Sequence, residues 1–161
     1  MLSNVNFAHL DTYLNKALYY YDLPGLAVHV GIGDRDYFSS VGWQNALTKS
    51  LLQRNHICHM ASVTKLFVST SILQLWEKGL LDLDEKLITY LPQFRMSDDR
   101  YRRITIRQLL SHTSGMPDVK DYHWDKPETD DGALLRYVLS PEVREAYLLF
   151  DPEEGKFAYS N

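Results

Sequence analysis

The spacing of apolar positions changes twice along the chain. Phe7, Leu10, Leu14, Ala17, Leu18 and Tyr21 recur at three- and four-residue intervals, which predicts an amphipathic helix over 5–21 with one buried face. Pro24-Gly25 punctuates that pattern. Two runs rich in β-branched residues, 26–32 and 37–41, then flank Gly33-Asp34-Arg35-Asp36, so a hairpin is expected. From Ser62 the spacing is helical again. Leu66, Phe67, Ile72, Leu73, Leu75 and Trp76 cover most of the circumference, predicting a helix buried nearly all round and stopped at Gly79. Asp84 is placed to cap a short helix through Tyr90, and Thr105 another through Leu110. Asp130 or Asp131 would cap a fourth, with Leu134, Leu135, Val138 and Leu139 inward. A helix, then strands, then a mainly helical stretch over 62–150 defines an α+β fold. The chain divides into 1–61, with the first helix and strands, and 62–161, with the later helices.

Composition narrows the function classes. The 161 residues are 45% hydrophobic and 24% charged, an ordinary globular balance. No apolar run is long enough to span a membrane. A net charge of −4, without basic clusters, argues against a nucleic-acid partner. Residues 1–6 carry neither a basic nor an apolar leader segment, so a cytoplasmic protein is expected. Gly31-Ile32-Gly33 lacks the third glycine of a dinucleotide loop and precedes a hairpin, so it reads as turn glycine.

His56-Ile57-Cys58-His59 brings three metal-ligand types together. On a strand, however, His56 and Cys58 point one way and His59 the other. His9, His29, His112 and His123 offer no ligand spacing to complete a tetrahedral site. A short buried strand with Cys58 as small apolar filler is expected, with no metal and no cofactor. Cys58 is the single cysteine, so no internal disulfide forms.

Ser62-Val63-Thr64-Lys65 carries chemistry. Residues i and i+3 of a helix share a face, so Lys65 lies beside the Ser62 hydroxyl. A serine becomes a useful nucleophile when a neighbouring base takes its proton. A helix N-terminus favours the negative charge that then develops. A Ser-x-x-Lys match alone is weak, since a capping serine and a surface lysine satisfy it. Tyr159-Ser160-Asn161 adds a tyrosine that could ionise beside a lysine, and an amide able to bond both the lysine and an acyl-amide substrate.

These segments, with Gly79-Leu80-Leu81-Asp82-Leu83-Asp84, Tyr90-Leu91-Pro92 and the run from Ile104 to Asp118, resemble the serine β-lactamases and penicillin-binding proteins. The likeness is greatest to the class C β-lactamase-like branch with its esterase and D-peptidase relatives, and it extends from about Pro24 onward. The Ser-x-x-Lys motif is one of that superfamily's signatures. The resemblance implies the β-lactamase/transpeptidase-like fold and a serine hydrolase that forms an acyl-enzyme on Ser62. Lys65 would activate Ser62, directly or with Tyr159. Tyr159 would serve the leaving group and the hydrolytic water. Asn161 would orient Lys65 and the substrate amide, and the Ser62 N–H would form half of an oxyanion hole. His112 in the His-Thr-Ser-Gly segment would be structural rather than a catalytic base.

The family's third motif, a Lys-Thr-Gly or His-x-Gly strand, is absent up to Asn161. The chain is therefore expected to be the front part of a larger domain, to turn over substrate poorly by itself, and to need its C-terminal half, as a second chain, or a homo-oligomer. β-Lactams, D-amino-acid peptides and esters all fit the implied chemistry. The competing readings are a catalytically inactive pseudoenzyme that binds a partner, and a metal protein using His56, Cys58 and His59.

Overall fold

A computed structural model describes residues 7–121 and 129–161; residues 1–6, which bear the leader reading, and His123 lie outside the described residues. The chain forms two compact units, Met1–Met60 and Ala61–Asn161.

In the first unit, helix α1 (Ala8–Tyr20) buries Leu14 and Ala17, two positions of the predicted apolar face. Strands β1 (Gly25–Ile32) and β2 (Arg35–Asn45) pair antiparallel, with Gly25 opposite Gly42 and Ile32 opposite Arg35. Gly33 turns the chain between them with φ 57°. Gly42 has φ 78°, and a Cβ there would sit 2.5 Å from the Pro24 carbonyl oxygen, so this position admits only glycine. Helix and sheet are tied by Asp11, which accepts from Tyr37 and, at 2.6 Å, from Ser39. Phe7 stacks on Tyr37 with ring centroids 4.1 Å apart.

The third strand, β3 (Ser50–Leu51), pairs with β2 after a register shift between Trp43 and Asn45. The strand expected at 56–59 does not form. Cys58 is exposed and Ile57 fully so, and no strand among the described residues pairs with this stretch. No group of three or more metal-ligating side chains occurs among the described residues.

The second unit is helical. A short 3-10 turn (Ala61–Val63) leads into α2 (Thr64–Glu77), which ends before Gly79 at φ 68°. Helix α3 (Leu87–Tyr90) is followed by a 3-10 segment (Asp99–Arg103) and α4 (Ile106–Leu110). Helices α5 (Ala133–Val138) and α6 (Pro141–Arg144) and a last 3-10 turn (Pro152–Glu154) complete it. Its core is Phe94, Met96, Tyr101, Ile104 and Leu148, with Phe94 and Tyr101 in edge contact at 5.7 Å. Asp98, itself buried, holds this core closed. It bonds Arg100 at 2.6 and 2.9 Å and accepts from the Leu148 N–H at 3.0 Å, and its carboxyl is held down to about 2, chiefly by Arg100.

Thr105 forms the expected cap, as a capping box with Gln108. Other expectations change. Helix α2 buries none of its residues: Leu66 and Phe67 are 68% and 64% exposed, because its apolar positions outnumber what the described chain packs against them. Asp84 caps nothing; its carboxylate is taken by Arg107 at 2.6 and 2.8 Å, and Lys86 stands at the α3 N-cap. Gly132 rather than an aspartate occupies the α5 N-cap, since Asp130 turns to Arg136 and to the Gly132 N–H. Leu134 and Leu135 point outward, while Val138 packs against the core. Among the described residues no helix is long and apolar enough to cross a membrane.

Candidate active site

The site lies within the second unit, at the start of α2. Ala61 precedes Ser62 with φ 45°, a left-handed conformation that L-residues seldom adopt. Ser62 therefore stands in the 3-10 turn just ahead of α2 rather than in its first α-helical turn. Val63 is the N-cap, with no side-chain capping bond, so the Ser62 hydroxyl is not engaged as a cap. It turns to Tyr159 instead, with Oγ and Oη 2.8 Å apart. The i,i+3 relation survives: Lys65 Nζ lies 3.5 Å from Ser62 Oγ.

Lys65 also donates to Asn161 Oδ1 and stands 5.1 Å from the Tyr159 ring centroid. Tyr159 Oη lies 3.2 Å from the same Asn161 oxygen. Four residues from the two ends of the unit thus meet at one point. The Tyr159 phenol is held below its ordinary value, first by the Ser62 hydroxyl and then by Lys65.

The segment bearing Tyr159 and Asn161 is fixed by the run from Leu109 to Asp118. The Ala158 N–H donates to the His112 carbonyl at 3.0 Å, and the Ser160 N–H to His112 Nδ1 at 3.3 Å. Ser160 Oγ donates to the Pro117 carbonyl at 2.8 Å. The His112 ring lies against Tyr159 at 4.6 Å and against Phe157 at 5.9 Å. His112 thus touches this segment through its carbonyl, Nδ1 and its ring, and its own φ is 57°. Gly115 has φ 76°, and a Cβ there would meet the Phe150 carbonyl oxygen at 2.4 Å. That close approach lets the Leu149 N–H reach the Gly115 carbonyl at 2.8 Å.

Sequence reasoning brought Ser62, Lys65, Tyr159 and Asn161 forward, and all four converge. It gave Asp118 no role, yet Asp118 Oδ1 accepts from the Asn161 N–H at 2.9 Å and from Asn161 Nδ2 at 3.0 Å. These amides, with Lys65 nearby, hold its carboxyl below the usual range. The only sequence signal was its place at the end of a motif run. A cavity of about 130 Å³ adjoins Asn161 and Asp118, with Phe94, Met116, Val138 and Val143 among its lining.

Residues 10–161 match the Beta-lactamase family, and the chain belongs to it. It is 32% identical over 156 residues to Penicillin-binding protein 4* of Bacillus subtilis (strain 168), covering 95% of this chain and 33% of that protein. Among solved structures it superposes on the D-amino acid amidase of Ochrobactrum anthropi SV3 with a TM-score of 0.73 and 22% identity, over 94% of this chain and 40% of the amidase. A class C β-lactamase gives a TM-score of 0.64 at 18% identity, over 86% and 38% of the respective chains. These neighbours carry the β-lactamase/transpeptidase-like α+β fold. The chain spans about a quarter to a third of the length of the curated relatives it matches.

Proposed function

We propose that this chain carries the nucleophile, the base and the orienting amide of a serine hydrolase that works through an acyl-enzyme on Ser62. The observation that supports this most directly is the 2.8 Å contact between Ser62 Oγ and Tyr159 Oη, beside Lys65 and Asn161. Tyr159, ionised to the phenolate that Ser62 and Lys65 favour, takes the Ser62 proton as Oγ forms its bond to the substrate carbonyl carbon. The shorter reach of Tyr159, 2.8 against 3.5 Å for Lys65, favours the phenolate as the immediate base. Lys65 stabilises that phenolate. The tetrahedral intermediate collapses by breaking the carbonyl carbon's bond to the leaving amine or alcohol, which takes the proton from Tyr159. Water then repeats the sequence in reverse: Tyr159 removes its proton, the ester bond to Oγ breaks, and Ser62 recovers the proton as the acid departs.

The Ser62 N–H, at the head of α2, is one oxyanion donor in this scheme. The cavity beside Asn161 offers room for a small apolar acyl side chain. The names of the relatives point to amide substrates, β-lactams or D-amino-acid amides, with esters open to the same chemistry. The test is covalent labelling of the protein as its gene encodes it, with a fluorescent penicillin and a fluorophosphonate. Labelling that disappears in Ser62→Ala is expected; a folded wild-type protein that neither probe labels would instead favour the inactive, partner-binding reading.

A further inference from the structure

We infer that Asp118 is a positioning residue of this site: its carboxylate sets which way the Asn161 amide faces, and so presents Asn161 Oδ1 to Lys65 and Tyr159. The inference rests on the acyl-transfer reading above. A carboxamide has nearly the same shape when its oxygen and nitrogen exchange places, so its orientation is decided by its partners. On one side of Asn161 is Lys65 Nζ, which donates to Oδ1, with Tyr159 Oη 3.2 Å from the same oxygen. On the other is Asp118 Oδ1, 3.0 Å from Nδ2, and an ionised carboxylate only accepts. Turning the amide over would set two oxygens together on one side and donors against Lys65 on the other.

Asp118 is itself anchored. The same Oδ1 accepts from the Asn161 N–H and the Val119 N–H, both at 2.9 Å, so the carboxylate cannot swing away without releasing the backbone of Asn161. The direction of its pKa shift agrees, since three amides and the nearby Lys65 all favour the charged form. The Asn161 amide thus carries the influence of Asp118 to Lys65. Without Asp118, the amide can offer Nδ2 to Lys65, which loses an acceptor and no longer holds its place beside Ser62 and Tyr159.

The experiment is a double-mutant cycle on the rate of covalent labelling of Ser62 by a fluorescent penicillin or fluorophosphonate, in the protein as its gene encodes it. Wild-type labelling that Ser62→Ala abolishes establishes the underlying reading first; without it, that reading and this inference fall together. Given it, Asp118→Ala should slow labelling about 10- to 100-fold, the scale of a hydrogen bond to a charged group. The same substitution should change the rate less than about threefold in an Asn161→Ala background, where no amide remains to orient. Asp118→Asn can keep an amide oxygen in the place of Oδ1, where all three donors point, and should slow labelling less than about fivefold at an unchanged melting temperature. Equal losses for Asp118→Ala with and without Asn161 would overturn the inference, as would a loss in Asp118→Asn as large as that in Asp118→Ala. So would a neutron structure of Asp118→Ala, in which amide oxygen and nitrogen are distinguished, with Oδ1 of Asn161 still facing Lys65.

Discussion

Removing one oxygen, by Tyr159→Phe, separates the roles that Tyr159 could play. The substitution deletes Oη and with it the 2.8 Å contact to Ser62 and the 3.2 Å contact to Asn161. It leaves the ring where Lys65, at 5.1 Å, and His112, at 4.6 Å, already hold it, so the fold should be untouched. If Tyr159 only positioned the Ser62 hydroxyl, the loss would be that of one hydrogen bond, about 0.5–1.5 kcal/mol and roughly tenfold at most in rate. If Tyr159 is the base, the loss should be about 100- to 10,000-fold, or roughly 3–5 kcal/mol of barrier. Stopped-flow measurement of Ser62 acylation by a fluorescent penicillin reads this directly. The pH profile gives a second criterion. Because Tyr159 is held below the ordinary phenol value, the wild-type rate should fall as pH drops through that lowered value and the phenolate is protonated. In Tyr159→Phe that acid limb should vanish. A loss below tenfold with the acid limb intact would refute the assignment of Tyr159 as base.

Three further substitutions probe the scaffold. Asp98→Asn should lower stability by about 1–2 kcal/mol near neutral pH by urea unfolding: a carboxyl held at about 2 instead of 3.8 is worth at most about 2.5 kcal/mol, and part-exposed Arg100 reduces that. Since the folded value is the lower one, this stabilisation is present above about pH 4 and lost on acidification towards pH 2, a dependence the variant should lack. Thr105→Ala removes the α4 cap and should cost about 1 kcal/mol in the same assay, with the acylation rate unchanged per folded molecule. His112→Phe keeps a ring against Tyr159 but loses the acceptor for the Ser160 N–H; acylation should slow about 3- to 30-fold, and a loss beyond about 1,000-fold would make His112 a catalytic group after all.

Local patterns in the sequence translated well into local structure. The face of α1 is set by residues three and four apart, and Leu14 and Ala17 are buried as that spacing requires. The Thr105 box closes between residues three apart, so its partner is visible in the sequence. The Ser62 and Lys65 pairing is legible for the same reason. What failed depends on distant residues. Periodicity marks α2 as apolar all round but cannot say what covers it, and in the described chain its residues remain unburied. Asp84 looks like a cap until Arg107, 23 positions on, claims its carboxylate. The 56–59 stretch reads as a short buried strand, yet no strand among the described residues pairs with it, whereas β3 forms at Ser50–Leu51 against the end of β2. Asp118 stayed silent because its partner Asn161 is 43 positions away. The meeting of Tyr159 and Asn161 with Ser62 came from family resemblance, since no spacing rule links positions 97 residues apart.

The central claim is that Ser62 becomes covalently acylated. Peptide mapping by mass spectrometry, after incubating the protein as its gene encodes it with a penicillin, tests this most directly. The peptide containing Ser62 should carry one intact penicillin mass, and the adduct should be absent from Ser62→Ala and formed far more slowly in Tyr159→Phe. An adduct on another residue, or none on a folded protein that also resists fluorophosphonate, would contradict it.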